Sequence, residues 1–175
     1  MSATGLDVFD KTVQTTNIWL NEIVEGVGPD RNLAWHILGA VLRALRDRLP
    51  TDEGAHLAAQ LPILVRGLYY DQWHPAAGIR KDRTQEEFFE HVAEGLRGVR
   101  PVNVRDAVRT VFSVLERHVT KGQVDKVATS LPKDIRVLWP SAGEIDTGAH
   151  LASDAPEGNR AAAEVKEPAS YTNRP

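Results

Sequence analysis

The sequence predicts an all-α protein of two tandem pseudo-repeats, each of about three to four helices, packed into one compact bundle and followed by a disordered C-terminal tail. Three observations predict this architecture. Apolar residues recur at helical spacing over most of residues 7–140. The two halves of this region match each other at an offset of about 70 residues. The composition then changes after Pro140, where small and polar residues predominate.

Two long helices open the chain. The first is predicted over about 7–27, because apolar side chains recur along one face, with Trp19 on its flank. The second is predicted over 31–49, where Asp30 can act as the N-cap and the amphipathic pattern is the clearest in the chain. The apolar stripe of the first helix consists of Phe9, Val13, Leu20, Ile23, Val24 and Val27.

Prolines divide the rest of the first half. Pro50 ends the second helix, and residues 51–52 can cap a third. Pro62 lacks an N–H and clashes with the preceding turn of a helix, so it predicts a break. A short fourth helix then runs through Tyr70. The helical pattern lapses over 71–82, which we expect to be a loop.

The second half repeats this order. Thr84 and Glu87 have the spacing of a capping box and predict the start of a helix. A long amphipathic helix follows over about 103–119, and Gly122 is expected to mark a turn. Further apolar residues lead to Pro132 and continue beyond it.

Specific residue pairs indicate an internal repeat. The Leu-Pro at 61–62 recurs at 131–132, and the Glu-Gly at 25–26 recurs at 94–95. A chance match of apolar spacing would not readily produce both, so we expect each half to bury one apolar face against the other. Further pairs at the offset of 70 are Val41 with Val111, Leu45 with Leu115, Ala58 with Ala128, Arg66 with Arg136 and Leu68 with Leu138. The expected divisions are a domain at 1–140, with repeat one at about 7–70, a junction at 71–83 and repeat two at about 84–140, and a disordered tail at 141–175.

Composition excludes several classes of protein. The chain has no cysteine, which excludes a disulfide scaffold, a cysteine nucleophile and thiolate metal sites. A net charge of −3 argues against general nucleic-acid binding. No apolar run is long enough to cross a membrane, and the N-terminus lacks the pattern of a signal peptide. We therefore expect a cytoplasmic protein.

Three stretches resemble the bacterial family called "domain of unknown function 2267", over about residues 16–140. They are the helix pattern at 40–49 followed by Leu-Ala-Ala-Gln-Leu-Pro at 57–62, the junction at 69–75, and the second Leu-Pro with the terminal Leu-Trp at 138–139. At the junction the family commonly has glycine before the tryptophan, where this chain has Gln72. The resemblance implies an all-helical duplicated domain and no established activity.

The junction is the most unusual stretch for chemistry. Aromatic residues beside cations can bind a stacked base, a phosphate or an acidic peptide. Alternatively, the aromatics anchor the two halves and the cations form a solvated loop. The candidate ligand- or partner-binding residues are Tyr69, Tyr70, Trp73, His74, Arg80, Lys81 and Arg83.

No catalytic or metal-binding pattern is found in the sequence. Glu53 and His56 have the spacing used in di-iron bundles, but the repeat places Lys126 where the second histidine would stand. No catalytic residue, metal ligand or cofactor is therefore assigned. We expect a non-enzymatic protein-interaction or regulatory module with an unidentified protein partner. The alternative is a protein that binds a small ligand or anion at the junction, and a metal-dependent enzyme ranks last.

Deleting residues 141–175 should leave the free energy of unfolding nearly unchanged, because a segment with little apolar surface contributes little to stability. Urea unfolding of the full-length and truncated chains measures this. If the tail carries a docking peptide, the truncated chain should also lose a partner. An unfolded truncated chain would show that the tail is structural.

Overall fold

The computed structural model describes residues 5–81 and 83–142. These residues form eight α-helices, a short 3-10 turn at Pro75–Ala77 and no β-strand. The predicted all-α bundle is therefore confirmed. The helices are α1 (Asp7–Val27), α2 (Arg31–Arg46), α3 (Thr51–Gln60), α4 (Ile63–Tyr70), α5 (Gln85–Gly95), α6 (Val104–His118), α7 (Lys121–Ser130) and α8 (Lys133–Arg136).

The predicted tail lies outside the described residues, apart from its first two. The backbone N–H and the hydroxyl of Ser141 both donate to Oε1 of Glu116, at 3.1 and 2.6 Å. Ala142 packs against the core. A truncation that leaves these contacts intact therefore begins at residue 143.

Most predicted helix boundaries agree with the structure. The carboxylate of Asp30 accepts a hydrogen bond from the backbone N–H of Leu33, as expected of an N-cap. The capping box of Thr84 and Glu87 has both of its hydrogen bonds. Two details differ. The helix α2 ends at Arg46, three residues early, and Gly122 lies in the first turn of α7 rather than in a turn between helices.

Both Leu-Pro breaks are held by an arginine. Arg66 follows the first break, and its Nε donates to the carbonyl of Ala58 at 2.8 Å. Arg136 follows the second, and its Nε donates to the carbonyl of Ala128 at 3.0 Å. The Nη2 of each arginine donates to two further carbonyls, those of Ala59 and Leu61 and those of Thr129 and Leu131. Each guanidinium thus satisfies helix-end carbonyls that the break leaves without a backbone donor.

The two halves pack crosswise. The most extensive contacts of α1 are with α6, and those of α5 are with α2. A Cβ at Gly26 would lie 2.6 Å from the hydroxyl of Thr110, and one at Gly95 would lie 2.9 Å from the Cβ of Ala40. These glycines allow the two closest helix approaches, and their neighbours, Ala40 and Thr110, are again 70 residues apart.

One hydrophobic core runs through both halves. The centre of the molecule is the contact of α2 with α6, and α3 contacts α7 beside it. Phe112 of α6 stacks on Trp139 with ring centroids 4.3 Å apart and also contacts Phe88 of α5. Trp19, predicted on a flank of α1, is completely buried, while Phe9 and Val13 of the predicted stripe are exposed. The first half of α1 thus departs from the predicted core.

Substitution of either break arginine should destabilise the protein by about 1–3 kcal/mol, because three helix-end carbonyls lose their donor. Arg66→Met and Arg136→Met keep much of the side-chain length, and urea unfolding gives the change in free energy. Arg109→Met, an exposed arginine of α6, is the control and should change stability by less than about 0.5 kcal/mol. If all three variants behave alike, the arginines do not hold the breaks.

Candidate functional site

The junction aromatics are placed by α4. Tyr69 is completely buried, and its hydroxyl donates to the carbonyl of Gly54 at 3.0 Å. Burial raises the pKa of this tyrosine above its usual value. Tyr70 contacts Tyr69 edge-to-face and also contacts Trp73, at centroid distances of 5.2 and 5.4 Å. Tyr69 therefore anchors α4 in the core and does not face solvent, whereas Tyr70 and Trp73 are half-buried.

The polar members of the predicted site are spread along the loop. His74, Arg80, Lys81 and Arg83 are exposed. The backbone N–H of Arg80 donates to the carbonyl of Asp47 at 2.8 Å, which fixes the loop on the end of α2. Arg83 lines a separate hollow beside Leu131 and Pro132. Of the seven predicted residues, the described contacts join the three aromatics to one another. Ligand binding by the exposed members stays a prediction.

A polar cleft lies between α2 and α5, beneath the junction. We call it the α2–α5 cleft. Its volume is about 410 Å³, within the range of small-molecule sites. The residues that line it are Ala40, Arg43, Arg46, Asp47, Gln72, His91, Glu94 and Gly95. None of them belongs to the site predicted from the sequence, although Gln72 lies within the same junction.

Arg46 forms a rigid wall of this cleft. Its side chain is only 4% exposed. Nη1 donates to the carbonyls of Tyr69 and Asp71 at 2.6 and 2.9 Å, and Nε donates to the carboxylate of Asp47 at 2.8 Å. Because Nη2 also lies 2.8 Å from the same carboxylate, Asp47 and Arg46 largely neutralise each other.

His91 forms part of the opposite wall. Its Nδ1 lies 3.1 Å from Nη1 of Arg48, and its Nε2 lies 3.5 Å from Oδ2 of Asp47. Since a guanidinium can only donate, Nδ1 is the acceptor and the proton of the neutral ring is on Nε2, facing the carboxylate. Burial, followed by the positive charges of Arg80 and Arg48, lowers the pKa of His91 below its usual value.

The equivalent contact between α1 and α6 carries reversed charges. Glu22 stands 69 residues before His91, and it contacts Nη1 of Arg117 at 3.2 Å and Nε2 of His118 at 2.7 Å. The partners of His91 are Asp47 and Arg48, each 70 residues before a partner of Glu22. One position pair therefore holds an acid on α1 with a base on α6, and a base on α5 with an acid on α2.

The N-terminal half of α1 exposes an apolar face. Leu6, Phe9 and Val13 are 51%, 53% and 45% exposed. Trp19 stacks on His118, the last residue of α6, so α1 continues past the end of α6 for about 18 Å. The helix α4 also packs against α1 and leaves these side chains exposed. We call this surface the open α1 face, defined by Leu6, Phe9 and Val13.

Two further features were tested on the part of the chain that the structure describes. Within residues 5–81 and 83–142, no three histidine, aspartate or glutamate side chains are grouped so that they could hold a metal ion. No helix in the same residues combines the length and apolarity needed to cross a bilayer.

Comparison with known proteins identifies the family. The family model described as "Uncharacterized conserved protein (DUF2267)" matches residues 16–138, which is most of the chain. The chain belongs to the DUF2267 family. No curated protein matches it. The DUF2267 match includes the residues that line the α2–α5 cleft and begins at Thr16, so the open α1 face lies before it.

Sequence reasoning missed both the cleft and the open face, for different reasons. The cleft residues come from two segments about 50 residues apart, and no spacing rule joins them. One signal was the run of charges at 46–48, at the end of a strongly apolar helix. For the open face, the signal was the length of α1, which has 21 residues where α5 has 11. In this DUF2267 chain the surplus residues extend beyond the bundle.

The lowered pKa of His91 predicts a pH-dependent stability. The unfolded chain binds a proton at His91 near pH 6.5, and the folded chain binds it only at lower pH. Stability from this group is therefore complete above pH 6.5 and is lost as the pH falls through the lower folded value. His91→Gln, which can still accept from Arg48, should lose less stability than the wild type between about pH 7 and pH 5.

Urea unfolding at several pH values measures the difference. His36→Gln removes an exposed histidine of α2 and serves as the control, which should follow the wild type. If His91→Gln also follows the wild type, then His91 does not contribute to the pH dependence.

Proposed function

We propose that this DUF2267 protein is a protein-interaction module that binds an amphipathic helix of a partner protein on the open α1 face. The observation that carries the proposal is the position of Leu6, Phe9 and Val13. They extend the core-facing stripe of α1 past the end of α6, where the described residues leave them exposed. An apolar surface of this kind is typical of helix-in-groove recognition.

The spacing of the stripe specifies a helix as the occupant. Apolar or small residues recur along α1 at alternating steps of three and four, the heptad pattern by which helices pack side by side. The positions are Leu6, Phe9, Val13, Thr16, Leu20, Ile23 and Val27. The part from Thr16 onward is largely buried in the bundle, where α1 packs against α6. The part before Thr16 has the same pattern and is exposed, so a second helix in line with α6 would continue the packing.

Charge favours a partner other than a second copy of this chain. Asp10 lies on one edge of the open α1 face. Two copies that paired antiparallel about Phe9 and Val13 would bring both Asp10 carboxylates to the same edge, where like charges repel. A partner helix with lysine or arginine at its flanking positions would instead complement this edge. We therefore commit to an amphipathic helix with basic flanks.

A synthetic peptide tests this proposal. The probe has three heptads with leucine at positions a and d and lysine at e and g, and a matched probe carries glutamate in place of lysine. Isothermal titration calorimetry with the full chain should give a Kd of about 10–100 µM for the lysine probe and weaker binding for the glutamate probe. Val13→Ser should weaken binding by at least about tenfold, because it removes apolar surface from the seam.

The chain supplies its own control. Ile18 is 50% exposed, close to the exposure of Val13, and lies on the far side of α1. Ile18→Ser should therefore bind the lysine probe like the wild type. Equal losses in both variants, or no binding of either probe at about 1 mM, would overturn the proposal. A stable dimer in native mass spectrometry that Val13→Ser dissociates would make a second copy the occupant instead.

A further inference from the structure

We infer that the α2–α5 cleft binds a small zwitterion, with the carboxylate and ammonium groups of a free amino acid. This site is separate from the open α1 face and does not depend on the proposed interaction. The inference rests on two opposite charges that face one cavity without pairing with each other, Arg43 from α2 and Glu94 from α5. A ligand with both charges could bridge them.

Neither charge is satisfied by a strong partner. Nη1 of Arg43 lies 3.8 Å from the carboxylate of Asp71, and Glu94 lies 3.8 Å from Nη2 of Arg97. Both distances exceed that of a hydrogen bond, and such exposed pairs contribute little. Among the described residues, no ion pair joins Arg43 to Glu94. Their hydrogen-bonding capacity is therefore open to a ligand.

The glycines of the cleft leave room for Arg43. A Cβ at Gly39 would lie 3.2 Å from Nη1 of Arg43, and one at Gly95 would lie 3.9 Å from Nη2. The guanidinium thus lies between two positions that carry no side chain. Its side chain is 23% exposed, so it is partly shielded from solvent while still lining the cavity. Partial shielding strengthens its attraction for a carboxylate.

The other charges of the cleft cancel or are absent. Asp47 is neutralised by Arg46, and His91 accepts a hydrogen bond from Arg48 on its unprotonated Nδ1. What remains is one positive group on the α2 wall and one negative group on the α5 wall. A simple anion would meet Glu94 and a simple cation would meet Arg43, whereas a zwitterion satisfies both.

Gln72 supports the site from the junction side. It lines the cleft and has a φ of +56°, the left-handed conformation that favours glycine. A non-glycine residue in this region is uncommon and costs free energy, which points to a use for its side chain. Its amide can donate to a carboxylate bound at Arg43.

The equivalent groove between α1 and α6 lacks these groups. The position 70 residues after Arg43 is Ser113, whose hydroxyl accepts from Arg117 at 3.3 Å. The position equivalent to Glu94 is Glu25, so one acid remains without the arginine. The chain therefore has the paired charges in one groove only, among the residues described.

Nuclear magnetic resonance with the full chain tests the inference. Each free L-amino acid is added to the labelled protein up to about 10 mM, and the amide signals of Gln72, Glu94 and Gly95 are followed. At least one amino acid should shift these signals in a saturable way. Its analogue without the amino group and its analogue without the carboxylate should each bind at least about tenfold more weakly.

Variants locate the two charges. Arg43→Met and Glu94→Gln should each weaken binding by about tenfold or more, and Gln72→Gly should weaken it less. The matched controls are Arg109→Met and Glu90→Gln, which change exposed charges elsewhere on α6 and α5 and should bind like the wild type. If no amino acid shifts the cleft signals, or if the amine-free acid binds equally well, the inference is overturned.

Discussion

The close approach of helices at Gly26 and Gly95 is the contact on which the bundle depends. Each glycine brings the first helix of one half against the second helix of the other, at Thr110 and Ala40. Because both contacts cross between halves, the apolar faces of α2 and α6 meet in the centre and bury one core. A side chain at either glycine would force these helices apart. The small residue is therefore a condition for the crosswise packing.

The two crosswise contacts use different residues to meet one physical requirement. Glu22 faces Arg117 and His118 in one contact, and His91 faces Asp47 and Arg48 in the other. In both, an aromatic ring of the first helix lies against a nitrogen-bearing side chain, Trp19 on His118 and Phe88 beneath Arg48. What recurs is complementary charge and a ring contact. The α2–α5 cleft owes its polarity to this exchange, because it places histidine where the other groove has glutamate.

Local signals in the sequence predicted most of the fold. Asp30, Thr84 and Pro62 mark helix ends through backbone hydrogen bonding, which acts within a few residues, so these boundaries were predicted. Gly122 was mistaken for a turn, because a glycine is also tolerated in the first turn of a helix that tertiary contacts stabilise. The offset pairs Ala58 with Ala128 and Arg66 with Arg136 take part in matching hydrogen bonds.

The functional surfaces could not be predicted, because they depend on what lies opposite a residue. Periodicity identified the apolar face of α1 correctly but not the point at which α6 ends, so Phe9 and Val13 were assigned to the core. The cleft requires Arg43 and Glu94 to meet across two helices, and only the packed structure brings them to one cavity. The junction aromatics were recognised as unusual, and Tyr69 proved to be an anchor of the core.

The crosswise packing also constrains the order in which the protein can fold during synthesis. The stripe of α1 packs against α6, whose last residue is His118, so the first helix has no complete binding surface until about 90 further residues have been made. At ribosomal rates of about 5–20 residues per second, this interval lasts roughly 5–20 s. During that time Leu20 and Ile23 face water or a chaperone. A newly made chain therefore remains dependent on protection from aggregation until its second half has emerged.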